Sequence, residues 1–299
     1  MRLEHAGTEY LPVQIEIKDK SLMMIFLLEE CNFTCAHCLR SDEPMDPGYK
    51  LSFRQLQLCL ADCQGLESVR WVHFSGGEPT LWTERNRNLV DLLLEISKAG
   101  FTPGFTTNGS FFVDYSRCQQ FFGKYLDDSS IPLRVYFSLD TFHHNFDVEK
   151  GRAESLDNVI KLKQELPRVK ADLLDIAVIA VISKDLESLL PDEMIGHYES
   201  LGIAFSFVPL APRGRAKTLS HLCPDPGSDN PDKLGAYQRF HRKESREKAD
   251  KTRNRYRTDH IILIGDNYYF ADPWHKVAQL GHMPDTIIRT YSSPVRGSC

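Results

Sequence analysis

Cys31-Asn32-Phe33-Thr34-Cys35-Ala36-His37-Cys38 places three cysteines in a C-x3-C-x2-C array. The apolar run at residues 22–28 leads straight into it and predicts a buried strand ending where the loop begins. Three thiolates on one short loop can converge on one metal centre. Three is one fewer than a closed cluster or a structural zinc site takes. On a four-iron cluster they would leave one iron open to a small molecule. The same residues also fit a zinc knuckle that borrows His37 as a fourth ligand, or thiols that merely cluster.

Polar and glycine-rich turns recur at the ends of later strands. Residues 69–74 read as a strand running into Ser75-Gly76-Gly77-Glu78-Pro79. Its two glycines let the backbone turn sharply and approach a ligand with no Cβ in the way, and Pro79 stops the strand. Phe105-Thr106-Thr107-Asn108-Gly109 is a strand followed by a turn. Residues 133–140 form another strand, on which Ser138 and Asp140 alternate with Leu139 and share a side. A serine and a carboxylate at a strand's C-terminal end suit ribose hydroxyls.

Helices are expected at 53–65 with Ser52 as N-cap, at 88–98 with Gly100 at the end, and at 111–126, 156–166 and 191–201. The nearly continuous apolar run at 174–183 fits a parallel strand covered on both faces, and 203–208 is the next strand. A short strand is expected near 13–17. Cys59 and Cys63 lie four apart on one helical face and, with Cys118, read as core. Six βα units thus start near residues 22, 69, 103, 133, 174 and 203.

This combination resembles the radical S-adenosylmethionine (radical SAM) enzymes over roughly residues 15–216. The resemblance implies an α/β fold, a partial (β/α)6 barrel with ligands at the C-terminal strand ends, followed by a small C-terminal α/β extension at 217–299. It implies one [4Fe-4S] cluster on Cys31, Cys35 and Cys38, with SAM chelating the open iron. An electron from a donor such as flavodoxin or ferredoxin would then cleave SAM to methionine and a 5'-deoxyadenosyl radical, which abstracts hydrogen from substrate. Carried over by position, Gly76, Gly77 and Glu78 line the ammonium site, Thr107 and Asn108 lie near the nucleoside, and Ser138 and Asp140 meet the ribose. Arg152, or Lys150, would hold the SAM carboxylate, although the register there departs from the family's. His143 and His144 are loop histidines, either solvated or touching substrate.

Pro209-Leu210-Ala211-Pro212-Arg213-Gly214-Arg215-Ala216 resembles the P-x-GRA segment of members with a SPASM or twitch extension, many of which modify ribosomal peptides. Arg213 and Arg215 would hold an anion or cap the last strand. Residues 222–235 read as a linker. Residues 239–257 hold nine Lys or Arg against three Asp or Glu, which fits a solvated helix face or a dock for an acidic peptide. Residues 261–270 have the shape of a hairpin, and Leu280-Gly281-His282-Met283 follows. Family members with an auxiliary cluster place a cysteine just after this hairpin, where this chain reads Ala271-Asp272-Pro273. Only Cys223 and Cys299 remain in this half, so a single cluster is expected, with the extension as a lid or substrate platform. Either thiol is a candidate hydrogen donor. The expected substrate is a ribosomal peptide. The alternatives are a small sugar, nucleotide or antibiotic precursor and, from another class, a non-catalytic zinc or Fe–S binding module.

Composition sets bounds. The 299 residues are 41% hydrophobic and 26% charged with a net charge of −5, so no nucleic-acid or membrane partner is expected. No apolar run reaches the roughly 18 residues of a membrane span, and the N-terminus lacks a signal-peptide core. Eight cysteines in such a chain favour metal ligation over disulfides. A cytoplasmic protein is expected.

Overall fold

The computed structural model describes residues 22–38, 48–66, 69–140, 142–143, 153–183, 192–210 and 214–222, and strand residues 260–264, 267–272 and 275–282. The short strand expected near 13–17, the linker and the basic 239–257 segment lie outside the described residues.

Six parallel strands follow one another in chain order: β1 (Leu22–Phe26), β2 (Trp71–Ser75), β5 (Thr102–Thr107), β6 (Leu133–Ser138), β7 (Leu174–Ile182) and β8 (Ala204–Pro209). This is the expected partial (β/α)6 barrel, with helices on its outer face. Between strands run α1 (Phe53–Gln64), α2 (Leu89–Lys98), α3 (Tyr115–Asp128), α4 (Glu154–Glu165), the short α5 (Arg168–Ala171) and α6 (Asp192–Ser200).

Period-two patterning builds the barrel. Met23, Ile25, Val72, Phe74, Phe105, Val135, Phe137, Ile176 and Val178 point outward into the core shared with Leu56, Leu92, Ile96, Phe122 and Leu156 of the helices. Cys59, Cys63 and Cys118 are buried in that same core. The helix starts follow local chemistry. Ser52 and Gln55 form a capping box on α1, and Asn88 and Asp91 form another on α2. The expected helix at 111–126 is instead a 3-10 turn at Ser110–Val113 and then α3, because the Asp114 carboxylate caps a new N-terminus at Ser116 and Arg117.

Two features were not foreseen. Thr83–Glu84 (β3) and Arg87–Asn88 (β4) form a small hairpin between β2 and α2. The C-terminal half adds β9 (His260–Ile264), β10 (Asn267–Asp272) and β11 (His275–His282). The foreseen hairpin is β9–β10, and β11 pairs antiparallel with β10. β9 runs parallel to β1, from Leu22 opposite His260 to Ile25 opposite Leu263. Among the described residues the sheet therefore has nine strands, in the order β11-β10-β9-β1-β2-β5-β6-β7-β8. Among the described residues no helix is long and apolar enough to cross a membrane.

Candidate active site at the C-terminal strand ends

The cysteine loop leaves β1 and is held down by the turn that ends β2. Gly77 N donates to Leu28 O at 2.7 Å, and Glu78 N donates to Glu30 O at 2.8 Å. The glycines are required by this contact. A Cβ on Gly77 would lie 1.9 Å from Glu30 O, and Gly76 has φ +123° with Leu28 O only 2.8 Å from where its Cβ would be. The foreseen close approach is therefore to the chain that carries the cysteines.

Glu78 ties this turn to the end of β5. It is 1% exposed, and both carboxylate oxygens are occupied. Oε1 accepts from Thr80 N (3.1 Å), Thr80 Oγ1 (2.7 Å) and Thr107 Oγ1 (2.8 Å), and Oε2 accepts from Asn108 N (2.7 Å). Burial pushes its pKa up, only partly offset by these donors. Asn108 then reaches the cysteine loop: its Nδ2 donates to Asn32 Oδ1 at 2.9 Å and to Cys31 Sγ at 3.8 Å. Phe33 N also donates to Cys31 Sγ, at 3.4 Å.

The three thiols differ in exposure: Cys31 is exposed, Cys38 half-buried and Cys35 buried. Burial, and then the charges of Cys31, Cys38 and Asp140, push the Cys35 thiol up to about 12. A donor set of three thiols that repel one another as bare thiolates suits a multiply charged cation bound by soft sulfur ligands. The residues present therefore fit a cluster. The segment after β8 meets the same loop, where Arg215 N donates to Cys38 O at 3.1 Å.

At the end of β6, Ser138 is half-buried and Asp140 is fully buried. Asp140 is turned into the protein. Its Oδ1 accepts from Phe142 N (2.9 Å), His143 N (3.2 Å) and His143 Nδ1 (2.8 Å), and its Oδ2 accepts from Val181 N (2.9 Å). Burial raises its pKa, but the His143 hydrogen bond and the charges of His143 and His37 outweigh this and hold it below the usual range. His37 packs beside this pair, its ring centroid 4.4 Å from that of His143 and 5.2 Å from that of Phe142. Burial, and then the His143 charge, lower its pKa to about 4 against the pull of Asp140.

Gly76, Gly77, Glu78, Thr107 and Asn108 thus converge on the cysteine loop. Ser138 stands on the neighbouring strand end. Lys150, Arg152, Arg213, His144, Cys223 and Cys299 lie outside the described residues. Sequence reading missed the concave face of the sheet, where Met24, Trp71, His73, Thr106, Arg134 and Tyr136 line a pocket. Arg134 lies 3.5 Å over the Trp71 ring and pairs with Asp175 at 3.1 Å, while His73 bonds Thr106 Oγ1 at 2.8 Å. The signal was there in the alternation Trp71-x-His73 and Arg134-x-Tyr136.

No protein-family profile matches the chain. It is 26% identical over 201 residues to the tungsten-containing aldehyde ferredoxin oxidoreductase cofactor-modifying protein of Pyrococcus furiosus, a match covering 62% of this chain and 51% of that protein. The chain thus spans about half the length of this curated relative. Among solved structures it is similar to Streptococcus suis SuiB bound to S-adenosylmethionine, with TM-score 0.48, 16% identity and coverage of 82% of this chain and 50% of that one. It is also similar to BtrN in complex with AdoMet and 2-DOIA, with TM-score 0.36, 13% identity and coverage of 77% and 86%.

Proposed function

We propose that this chain, which resembles radical SAM enzymes in its cysteine loop and in the order of its strands, is an enzyme of that kind. It would bind one [4Fe-4S] cluster and SAM and act on a substrate C–H bond. The observation that supports this most is that the turns after β2 and β5 are hydrogen-bonded to the loop leaving β1, which carries an exposed, a half-buried and a buried thiol at Cys31, Cys38 and Cys35. When bound, the cluster and SAM would supply a carbon-centred radical able to abstract hydrogen.

The chain's own residues do the holding. Cys31, Cys35 and Cys38 are the cluster ligands. Gly76 and Gly77 bring the β2 turn onto the residues just before Cys31. Glu78, Thr107 and Asn108 brace that turn and hand a hydrogen bond to Cys31 Sγ. Ser138, and Arg152 or Lys150 beyond it, are the proposed SAM contacts, while Asp140 serves from behind as the cap of the turn at 142–143.

The preferred substrate is a peptide. What supports this is the Arg213–Ala216 segment, which resembles that of peptide-modifying members and meets the cysteine loop through Arg215. A small-molecule substrate is the second reading, favoured by the name of the Pyrococcus furiosus relative as a cofactor-modifying protein. Residues 15–216 would form the catalytic barrel and 217–299 the extension, with Cys223 or Cys299 as hydrogen donor and flavodoxin or ferredoxin as electron source.

The test is anaerobic reconstitution with iron and sulfide, an iron count, and a 5'-deoxyadenosine assay with SAM and a strong reductant. About four irons and deoxyadenosine, both lost in Cys35→Ala, are expected. About eight irons would overturn the single cluster, and zinc in place of iron would overturn the radical reading.

A further inference from the structure

His37, Asp140 and His143 form a buried cluster that the proposed chemistry does not use. One donor atom from each lies within 4.8 Å of the others. His37 is 7% exposed, and its Nδ1 has no hydrogen-bond partner. Such a nitrogen is rarely left dry without a reason. Ring packing on Phe142 and His143 explains the burial of the imidazole but not its unanswered nitrogen. We propose that His37, Asp140 and His143 are a second metal site, taking a single divalent ion of the zinc class beside the cysteine loop.

The donor set selects the ion. Two imidazoles and a carboxylate suit zinc and its neighbours, whereas magnesium and calcium prefer oxygen alone. The carboxylate is held in place before any ion arrives, since Asp140 accepts from three backbone N–H groups on two segments, Phe142, His143 and Val181. In the ion-free protein His143 Nδ1 and Asp140 Oδ1 share a proton at 2.8 Å. An ion on His143 Nδ1 would take that proton's place, and the neutral imidazole would carry its proton on Nε2 instead. Donors on zinc sit about 3.3 Å apart, from bonds of about 2.0–2.1 Å at the tetrahedral angle. The pair would part by about half an ångström, and a donor separation of 4.8 Å would close by about 1.5 Å. Three protein donors leave a fourth position for water or for an oxygen atom of the substrate.

This inference goes beyond the proposed function and is tested separately from it. Protein loaded with iron and sulfide is equilibrated with one equivalent of Zn2+, passed over a weak chelator, and its metals are counted. The zinc K-edge absorption is then recorded on the same sample. One zinc per chain in addition to the iron is expected, with only nitrogen and oxygen neighbours at about 2.0–2.1 Å. His143→Ala should abolish zinc retention with iron content unchanged, and Asp140→Asn should weaken zinc retention at least about tenfold. Sulfur neighbours at about 2.3 Å, no zinc above background, or full retention in His143→Ala would each overturn the proposal. The wild-type edge spectrum decides even where a variant fails to fold. Zinc bound this way without an iron cluster would keep this site and remove the radical reading. Iron and SAM cleavage without zinc would do the reverse.

Discussion

Replacing Glu78 by glutamine tests whether one buried carboxylate braces the site. Four donors converge on it: Thr80 N, Thr80 Oγ1 and Thr107 Oγ1 on Oε1, and Asn108 N on Oε2. The amide has one acceptor oxygen, which would stay on the side with three donors. Its NH2 group would then face Asn108 N–H, donor against donor, leaving a buried amide unpaired at about 1–3 kcal/mol. The other three bonds lose the help of the charge. That loss is offset because burial already holds the pKa of Glu78 above its ordinary value, so the folded protein does not favour the charge on balance. The net expectation is about 1–3 kcal/mol of destabilisation at pH 7, or roughly 2–10 °C in Tm for a domain of this size.

The pH dependence follows from the same shift. A carboxyl whose folded pKa is raised contributes stability that is fully present below its unfolded value of 4.5 and is lost as pH rises through the folded value. Glutamine does not titrate. The wild-type margin over Glu78→Gln should therefore be largest at acid pH, narrow as pH rises from 4.5 through the raised pKa, and then stay level. Urea or thermal unfolding of both proteins, anaerobic and metal-free, across pH 4 to 8 measures it. A margin under about 0.5 kcal/mol at every pH, the scale of an inconsequential surface change, would refute the bracing role. A margin that grows with pH would refute the electrostatic account.

Gly77→Ala should do more damage, because its Cβ would lie 1.9 Å from Glu30 O and the turn must lift off the cysteine loop. A cost of about 3 kcal/mol or more is expected, together with loss of iron after reconstitution, read by unfolding and iron assay. Asp91→Asn should cost about 0.5–2 kcal/mol at neutral pH. Burial works against the Asp91 charge, but Lys124 at 2.6 Å and the Asn88 N–H outweigh it and lower the pKa below 3.8. That contribution is present above 3.8 and lost as pH falls through the lowered value, so wild type and variant should converge in acid melts. Trp82→Phe removes the bond from the buried indole to Leu51 O, 2.7 Å long. It should cost about 1–3 kcal/mol in urea unfolding while leaving iron content intact.

The barrel was legible because its signals are local. An apolar run such as 174–183 or an alternation such as 133–138 states the state of the strand and the face it buries, and Ser52 and Asn88 announce their helices. Pairing is not local. β9 could be seen as a strand, but its parallel match to β1, more than two hundred residues away in the chain, depends on register, which no periodicity encodes. The two-residue strands β3 and β4 are too short to have a period. The break at Asp114 was readable in principle, since Asp followed by Ser116 is a capping pattern, but the aromatic run around it looked like one continuous helix.

The site was legible in its residue types and not in their directions. Glu78 and Asp140 sit at strand ends, where a carboxylate can serve either a ligand or the chain's own N–H groups, and sequence favours neither. Both turn inward, at 1% and 0% exposure. Their electrostatic effect on the loop is nevertheless direct. After burial itself, and against the Phe33 N–H, the charge of Glu78 raises the pKa of Cys31. Asp140 adds to burial and to the neighbouring thiols in raising Cys35. Both carboxyl groups therefore add to the cost of bare thiolates on the loop. The two carboxylates are thus turned to the chain's own donors, Glu78 to Thr80, Thr107 and Asn108 and Asp140 to Phe142, His143 and Val181.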